Sequence, residues 1–160
     1  MSVFDRRPLR RGRQGRFVVG LGADERAVLA SLSGQMRELL ADRGDPSLRR
    51  LFPPAYSSPD DRECEEEYER LMADDLLARQ REALDLLEST AQAEELSAEQ
   101  LEVWLRALNS IRLLLGTRLG VTEDDEPDPS TSPQHGLYYF LGYLQECGLD
   151  ALVGTGPGGE

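Results

Sequence analysis

Few side chains in this chain could coordinate a metal or act as a nucleophile. The single histidine, His135, stands beside Gly136, and no second histidine is present to complete a metal site. No Cys-x-x-Cys, His-Glu-x-x-His or phosphate-binding glycine loop occurs. The sequence therefore predicts no catalytic residues, no metal site and no cofactor, and we expect that the protein is not an enzyme.

One run of carboxylates has the side chains that hard cations prefer. Its members are Asp60, Asp61, Glu63, Glu65, Glu66, Glu67 and Glu69. They fall in the first turns of a predicted helix, where the positive end of the helix dipole favours negative charge. Because no histidine supports them and several point outward, we interpret the run as a solvated helix start.

The two cysteines, Cys64 and Cys147, are the candidates for redox chemistry. They lie 83 positions apart, so no spacing motif links them. Cys64 is surrounded by glutamates, and Cys147 lies near the end of a predicted helix, so both environments disfavour the reactive thiolate. We expect buried structural cysteines. A redox pair is the alternative, and it requires the two Cα atoms to lie within about 7 Å.

An arginine-rich arm at the N-terminus could contact nucleic acid. Its basic residues are Arg6, Arg7, Arg10, Arg11, Arg13 and Arg16. Six arginines against one acid, Asp5, give residues 1–16 a net charge of +5, whereas the chain as a whole carries −12 and the remainder therefore −17. The remainder should repel phosphate, while the arm could attract it. A solvated hairpin is the favoured interpretation and nucleic-acid contact is the alternative.

One further charge lies on an apolar helical stripe. The stripe has the spacing of one helix face and consists of Leu101, Trp104, Leu105, Leu108, Ile111, Leu115 and Leu119. At about 100° per residue, Arg112 projects within roughly 20° of Leu101 and Leu119. A buried arginine needs a partner, and we expect a structural ion pair with Asp75, which stands four residues before Arg79 on the preceding helix. A small-ligand site near Arg112 is the alternative.

The elements that would position these residues are mostly helical. The pattern predicts helices over residues 24–43, with Asp24 as N-cap, over 59–93 and 98–120, and from 137 onward, with Leu137 and Phe140 on the inner side of the last helix. Ser97 and Gln100 match a capping box, with Leu96 and Leu101 as a hydrophobic staple, and a short turn is predicted near residues 46–52. A β-hairpin with a turn at Gln14-Gly15 should precede them. The predicted fold is mainly α: a helical bundle of three main helices plus short helices, with an N-terminal β-hairpin.

The domain prediction places a single domain over residues 1–152, with the hairpin at 1–22, an internal linker at 122–136 and a disordered tail at 153–160. The chain has 160 residues and 39% hydrophobic residues, enough for one core. No apolar run approaches the ~18 residues of a membrane span, and no apolar stretch follows the first arginines as in a secretory signal. We therefore expect no membrane contact and a cytoplasmic location.

Three segments of this sequence resemble the actinobacterial AosR-type regulator family, long catalogued as a domain of unknown function. They are Leu51-Phe52-Pro53-Pro54-Ala55-Tyr56, Trp104-Leu105-Arg106-Ala107-Leu108-Asn109, and Arg112-Leu113 continuing through Leu115-Gly116-Thr117-Arg118-Leu119. The resemblance implies a helical cytoplasmic protein without known enzymatic activity. It also implies transcription regulation under oxidative stress, through closely spaced cysteines and contact with a sigma factor. The lysine-free composition is consistent with an actinobacterial source.

The sequence departs from that family pattern at two points. Cys64 and Cys147 are not closely spaced, so the thiol switch does not carry over, and no helix-turn-helix with a basic recognition helix is present. We therefore predict a non-enzymatic regulatory protein that acts in transcription or stress response by protein–protein contact. The alternatives are a DNA-associated or redox-responsive regulator, and a small-ligand-binding protein with its site near Arg112.

Overall fold

The computed structural model describes residues 7–41, 62–119 and 133–154 of the chain, and within them the fold is mainly α. The helices are α1 (Ala23–Ala41), α2 (Arg62–Ser89), α3 (Ala98–Leu119) and α4 (Pro133–Val153). Three short strands accompany them: β1 (Leu9–Arg11), β2 (Phe17–Val19) and β3 (Glu95–Leu96). The prediction of a helical protein with an N-terminal hairpin is confirmed. No helix in these ranges is long and apolar enough to cross a membrane.

The hairpin turn forms where the sequence predicted it. Gln14 and Gly15 both have positive φ, at 56° and 72°, and the Gly12 N–H donates to the Arg16 carbonyl at 2.8 Å. Two consecutive residues of positive φ match the right-handed twist of the flanking strands, which is why glycine suits this turn. Leu9 pairs with Val19 across the hairpin.

A third strand completes the sheet, and the sequence did not predict it. β3 pairs antiparallel with β2, so that Phe17 faces Leu96 and the strand order is β1-β2-β3. Two residues are too few to show an alternating pattern. The strand forms because the chain that leaves α2 passes alongside β2 before α3 begins. Its pairing stabilises the hairpin, since two strands alone are only marginally stable.

The core lies between this sheet and the helices, and Trp104 of α3 is its largest fully buried side chain. The Trp104 indole N–H donates to the Thr90 hydroxyl at 2.7 Å, and that hydroxyl donates to the Leu86 carbonyl at 2.5 Å. The indole is thus buried with its only donor satisfied. The same contact fixes the end of α2 against the second turn of α3.

The start of α3 follows the predicted capping box. The Gln100 N–H donates to the Ser97 hydroxyl at 3.1 Å, and the Ser97 N–H donates to the Gln100 side-chain oxygen at 2.9 Å. Leu96 and Leu101, the predicted hydrophobic staple, are both fully buried. The cap at α1 differs from the prediction, which named Asp24 as the N-cap. Asp24 lies inside the first turn, and the Gly22 N–H before the helix donates to the Glu25 carboxylate at 2.9 Å.

The boundaries of the last two predicted segments are corrected. Helix α4 begins at Pro133, so residues 133–136 of the predicted linker are helical, and Val153 of the predicted tail still belongs to the helix. Proline is well suited to the first helical turn, where its missing N–H costs nothing. The rest of the linker and tail, residues 1–6 and the predicted turn near 46–52 lie outside the described residues.

The apolar pattern of α2 puts Leu71, Met72, Ala83 and Leu87 on one inner face and Leu84 well off it, which predicts contacts on two sides of the helix. Burial of Leu84 together with Ala83 and Leu87 agrees with that prediction. Leu71 and Met72 differ from it, because both are exposed. The helix packs on both α1 and α3, and the residues near its C-terminal end lie between those two neighbours. A broad apolar pattern marks several faces, and only packing selects the buried one.

Arg26 joins three parts of the fold through its guanidinium group. It donates to the carbonyls of Val19 at the end of β2, Leu21 before α1, and Ala91 and Ala93 in the turn after α2, at 2.6–3.0 Å. A planar five-donor group can satisfy several carbonyls at once, which an ammonium group cannot do with the same geometry. Sequence analysis did not identify this residue.

We expect Arg26→Ala to lower the free energy of unfolding by about 3 kcal/mol, because four carbonyls lose a charged donor together. Arg26→Lys should recover only part of this loss. Urea denaturation followed by circular dichroism measures both. Arg37→Ala is the matched control, since Arg37 forms exposed ion pairs with Asp85 and Glu88 worth about 0.5–1 kcal/mol. An equal decrease in the free energy of unfolding for Arg26→Ala and Arg37→Ala would contradict this structural role of Arg26.

Candidate interaction site

Two arginines of the N-terminal arm tether the hairpin to the end of α4. Arg11 donates from Nε to the Ala151 carbonyl at 3.1 Å and from Nη2 to the Leu152 carbonyl at 3.0 Å. Arg7 pairs with Asp150 at 3.3 Å. The last carbonyls of a helix have no partner within it and carry its negative dipole end, so a guanidinium is well placed there. These arginines thus have a structural role.

The remaining arm arginines are distributed along the hairpin. Arg16 pairs with Glu95 at 3.5 Å, with both side chains about half exposed. Arg10 is partly buried and Arg13 is exposed at the turn, while Arg6 lies outside the described residues. Part of the positive charge of the arm is therefore paired within the chain, and nucleic-acid contact by the arm stays a prediction.

Arg112 contacts α4, which is not the helix that the sequence suggested. Its guanidinium carbon lies 4.8 Å from the centre of the Tyr138 ring, a cation–π geometry. A Cβ added at Gly142 would come within 3.2 Å of Arg112 Nε, so the missing side chain makes room for the guanidinium. The Nε atom is buried without a hydrogen-bond partner. The ring face stabilises this charge in place of a carboxylate.

The expected ion pair between Arg112 and Asp75 is not formed among the described residues. Asp75 pairs instead with Arg79 of its own helix at 3.3 Å, and its side chain is 55% exposed. The reason is the helical phase of α3: Ser110, about 200° from Arg112, hydrogen-bonds Gln80 of α2. Arg112 must then face α4. The apolar stripe of α3 does face the core, as predicted. The sequence pattern does not determine which helix packs on each side of that stripe.

Cys147 lies on the buried side of α4 with 2% of its surface exposed. Burial raises the pKa of its thiol above the ordinary value, which favours the unreactive neutral form. The side chain of Cys64 lies outside the described residues, so the redox pair stays a prediction. The structure places His135 in the first turn of α4. Among the residues described, no group of three His, Cys, Asp or Glu side chains could hold a metal ion.

A groove of about 440 Å³ runs between the first turns of α1 and α4. Its floor and walls are mainly apolar, and two acids stand at its α1 side. The lining residues are Asp24, Glu25, Val28, Pro133, Gly136, Leu137 and Phe140. Val28 is 39% exposed although it is a large aliphatic side chain. The groove can receive an apolar side chain, and its acids can pair with a cation.

Sequence analysis missed this groove. Val28 lies outside the stripe that packs α1 on the core, and Leu137 and Phe140 were assigned to the inner face of the last helix. The one signal available was a valine at the edge of the apolar stripe of α1, about 20° from Leu39 around the helix axis. A single exposed apolar residue is common on protein surfaces, so it gains meaning only beside the residues of α4.

Comparison with known proteins gives two findings. The sequence model of a family described as a domain of unknown function, DUF2017, matches residues 6–152. Proteins named oxidative stress regulator AosR, from Mycobacterium bovis and Mycobacterium tuberculosis, are 27% identical to this chain, and the alignment covers 88% of it and 84% of each relative. No solved structure matches the chain.

A double-mutant cycle tests the new environment of Arg112. Combining Arg112→Met with Tyr138→Leu should show a coupling free energy of about 1 kcal/mol, because the two side chains form the cation–π contact. Urea denaturation of the four proteins gives the value. The matched cycle of Arg112→Met with Asp75→Asn should give coupling within about 0.3 kcal/mol of zero. A larger coupling to position 75 would restore the ion pair that the sequence suggested.

The buried thiol of Cys147 should make stability depend on pH. The unfolded thiol loses its proton near pH 8.5, whereas the folded thiol loses it at a higher pH because burial raises its pKa. Between these two pKa values the unfolded state binds fewer protons, so stability falls as pH rises. In a Cys64→Ala background we expect the free energy of unfolding to decline as the pH rises through about 8.5. No lysine titrates in this range. Cys147→Ala should remove most of the dependence, and an unchanged slope would contradict the prediction.

Proposed function

This chain belongs to the family described as a domain of unknown function, DUF2017, and from that premise we propose that it is a non-enzymatic regulator that binds another protein. Relatives named oxidative stress regulators support a role in the response to oxidative stress. We place its action in transcription and its location in the cytoplasm. A sigma factor is the partner class that the sequence resemblance implies.

The groove between the first turns of α1 and α4 is the observation that supports protein contact. Apolar side chains that stay accessible beside charged ones are typical of surfaces that bind other proteins. Val28, Leu137 and Phe140 supply the apolar part and Asp24 the exposed charge. The overall charge of −12 disfavours nucleic acid as the direct target.

A DNA-associated regulator is the alternative that the experiment must separate. The arm would have to bind phosphate while Arg7 and Arg11 hold the end of α4 and Arg16 pairs with Glu95. Phosphate contact through these side chains would compete with bonds that attach the hairpin to the helices. Direct protein contact requires no such rearrangement.

The proposed function is tested by deleting the gene and sequencing transcripts before and after peroxide treatment. We expect a changed set of transcripts that the wild-type gene restores. Arg13→Gln should restore it equally well, because it removes an exposed arm charge without a described structural bond. Unchanged transcripts would contradict a regulatory role.

The mode of action is tested with the purified protein. RNA polymerase, together with its sigma factors, should co-purify with the tagged chain from a nuclease-treated lysate, because protein contact does not need DNA. Binding to promoter DNA of the affected genes, measured by fluorescence anisotropy, should be weak. A large association constant for DNA, whose logarithm falls steeply with the logarithm of salt concentration, would indicate phosphate contacts. That result would favour the DNA-associated alternative.

A further inference from the structure

The walls of the groove specify the chemistry of what binds there. Leu137 and Phe140 of α4 are partly buried against the core, so they form a firm apolar floor. Val28 of α1 stands across from them and is 39% exposed. An aliphatic or aromatic side chain placed among the three would remove apolar surface from water on several sides.

The charge beside this floor is negative. Asp24 is exposed, and Glu25 is held in position by its bond to the Gly22 N–H. The nearest arginine in sequence, Arg26, directs its guanidinium to four carbonyls on the sheet side of α1. A positively charged side chain on the bound molecule would therefore meet two carboxylates, and an acidic molecule would be repelled.

The segment of this chain that precedes α4 has the wrong composition to fill the groove. Residues 122–132 contain five acids, no basic residue, and no valine, isoleucine, leucine, methionine or aromatic residue. A second copy of the chain would bring another net charge of −12. Charge complementarity thus favours a basic, apolar segment over both. Within this chain Leu48-Arg49-Arg50-Leu51 has such a composition, and its binding in the groove would prevent an added peptide from binding the full chain. We commit to a foreign, basic partner and take failure of the peptide to bind as the contrary outcome.

We propose that the groove between α1 and α4 binds a short amphipathic segment of a partner protein. One apolar side chain of the segment contacts Val28, Leu137 and Phe140, and a flanking lysine or arginine pairs with Asp24 and Glu25. This inference rests on the proposed function, because it assigns the place and the chemistry of the protein contact. An apolar anchor beside a charged residue is a common way in which helical or extended segments are recognised.

The test uses a fluorescein-labelled peptide of leucine and lysine at helical spacing, titrated with the full chain and followed by anisotropy. Val28→Asn should weaken binding about tenfold, because it removes part of the apolar contact. Asp24→Asn should weaken it by about threefold, since that carboxylate is exposed and its ion pair is worth little. The matched peptide with glutamate in place of lysine should not bind measurably.

Two control variants distinguish this site from general attraction between an acidic protein and a basic peptide. Leu149→Asn changes an apolar residue, 55% exposed, at the other end of α4, and Glu102→Gln removes an exposed acid of α3. Both should bind within about twofold of wild type. Amide NMR shifts caused by the peptide should be centred on Asp24, Val28 and Gly136.

The proposal is overturned if the peptide does not bind, if the control variants weaken binding as much as Val28→Asn, or if the glutamate peptide binds equally well. Those results come from purified protein and leave the transcript experiment untouched. Conversely, unchanged transcripts after gene deletion would refute the regulatory function while peptide binding in the groove persisted. The failure of one proposal is thus distinguishable from the failure of the other.

Discussion

The position of the sheet relative to the helices depends on one guanidinium. Arg26 donates to four carbonyls that belong to β2, to the entry of α1 and to the turn after α2. These carbonyls lie at element ends, where the backbone lacks partners of its own. By satisfying them together, Arg26 brings β2 and the chain before β3 to the start of α1. The first two turns of α1 carry Asp24 and Val28, so the same interaction positions one wall of the groove.

Helix α4 is attached by three other arginines. Arg11 binds the carbonyls of its last turn, Arg7 pairs with Asp150, and Arg112 lies on the face of Tyr138 near its first turns. In a chain whose basic residues are all arginine, the planar and permanently charged group is well suited to carbonyl ends and to aromatic rings. The positive charge of these arginines is thereby placed at helix ends and over an aromatic ring. Other arginines, such as Arg79, are exposed at the surface, as is the acid Asp24 in the groove.

The relation to proteins named oxidative stress regulators directs attention to the cysteines, but the described geometry directs it elsewhere. Cys147 is buried on the core side of α4, and its pKa is raised by burial. A thiol in that state is a poor sensor for peroxide because the thiolate is the reactive form. In the groove, accessible apolar side chains lie beside acidic ones, and this arrangement is the basis of the protein contact that we propose.

The sequence alone determined the local elements, since turns and caps depend on neighbours in the chain. The Gln14-Gly15 turn, the Ser97–Gln100 capping box and the stripe around Arg112 were predictable from spacing. Tertiary structure decided which residues meet. Arg112 contacts the ring of Tyr138 instead of Asp75. Arg26 binds carbonyls of three separate parts of the chain. The first turns of α1 and α4 lie side by side and form the groove. Helical periodicity fixes where a side chain lies around its own axis. Only the packing of helices on one another determines what it contacts.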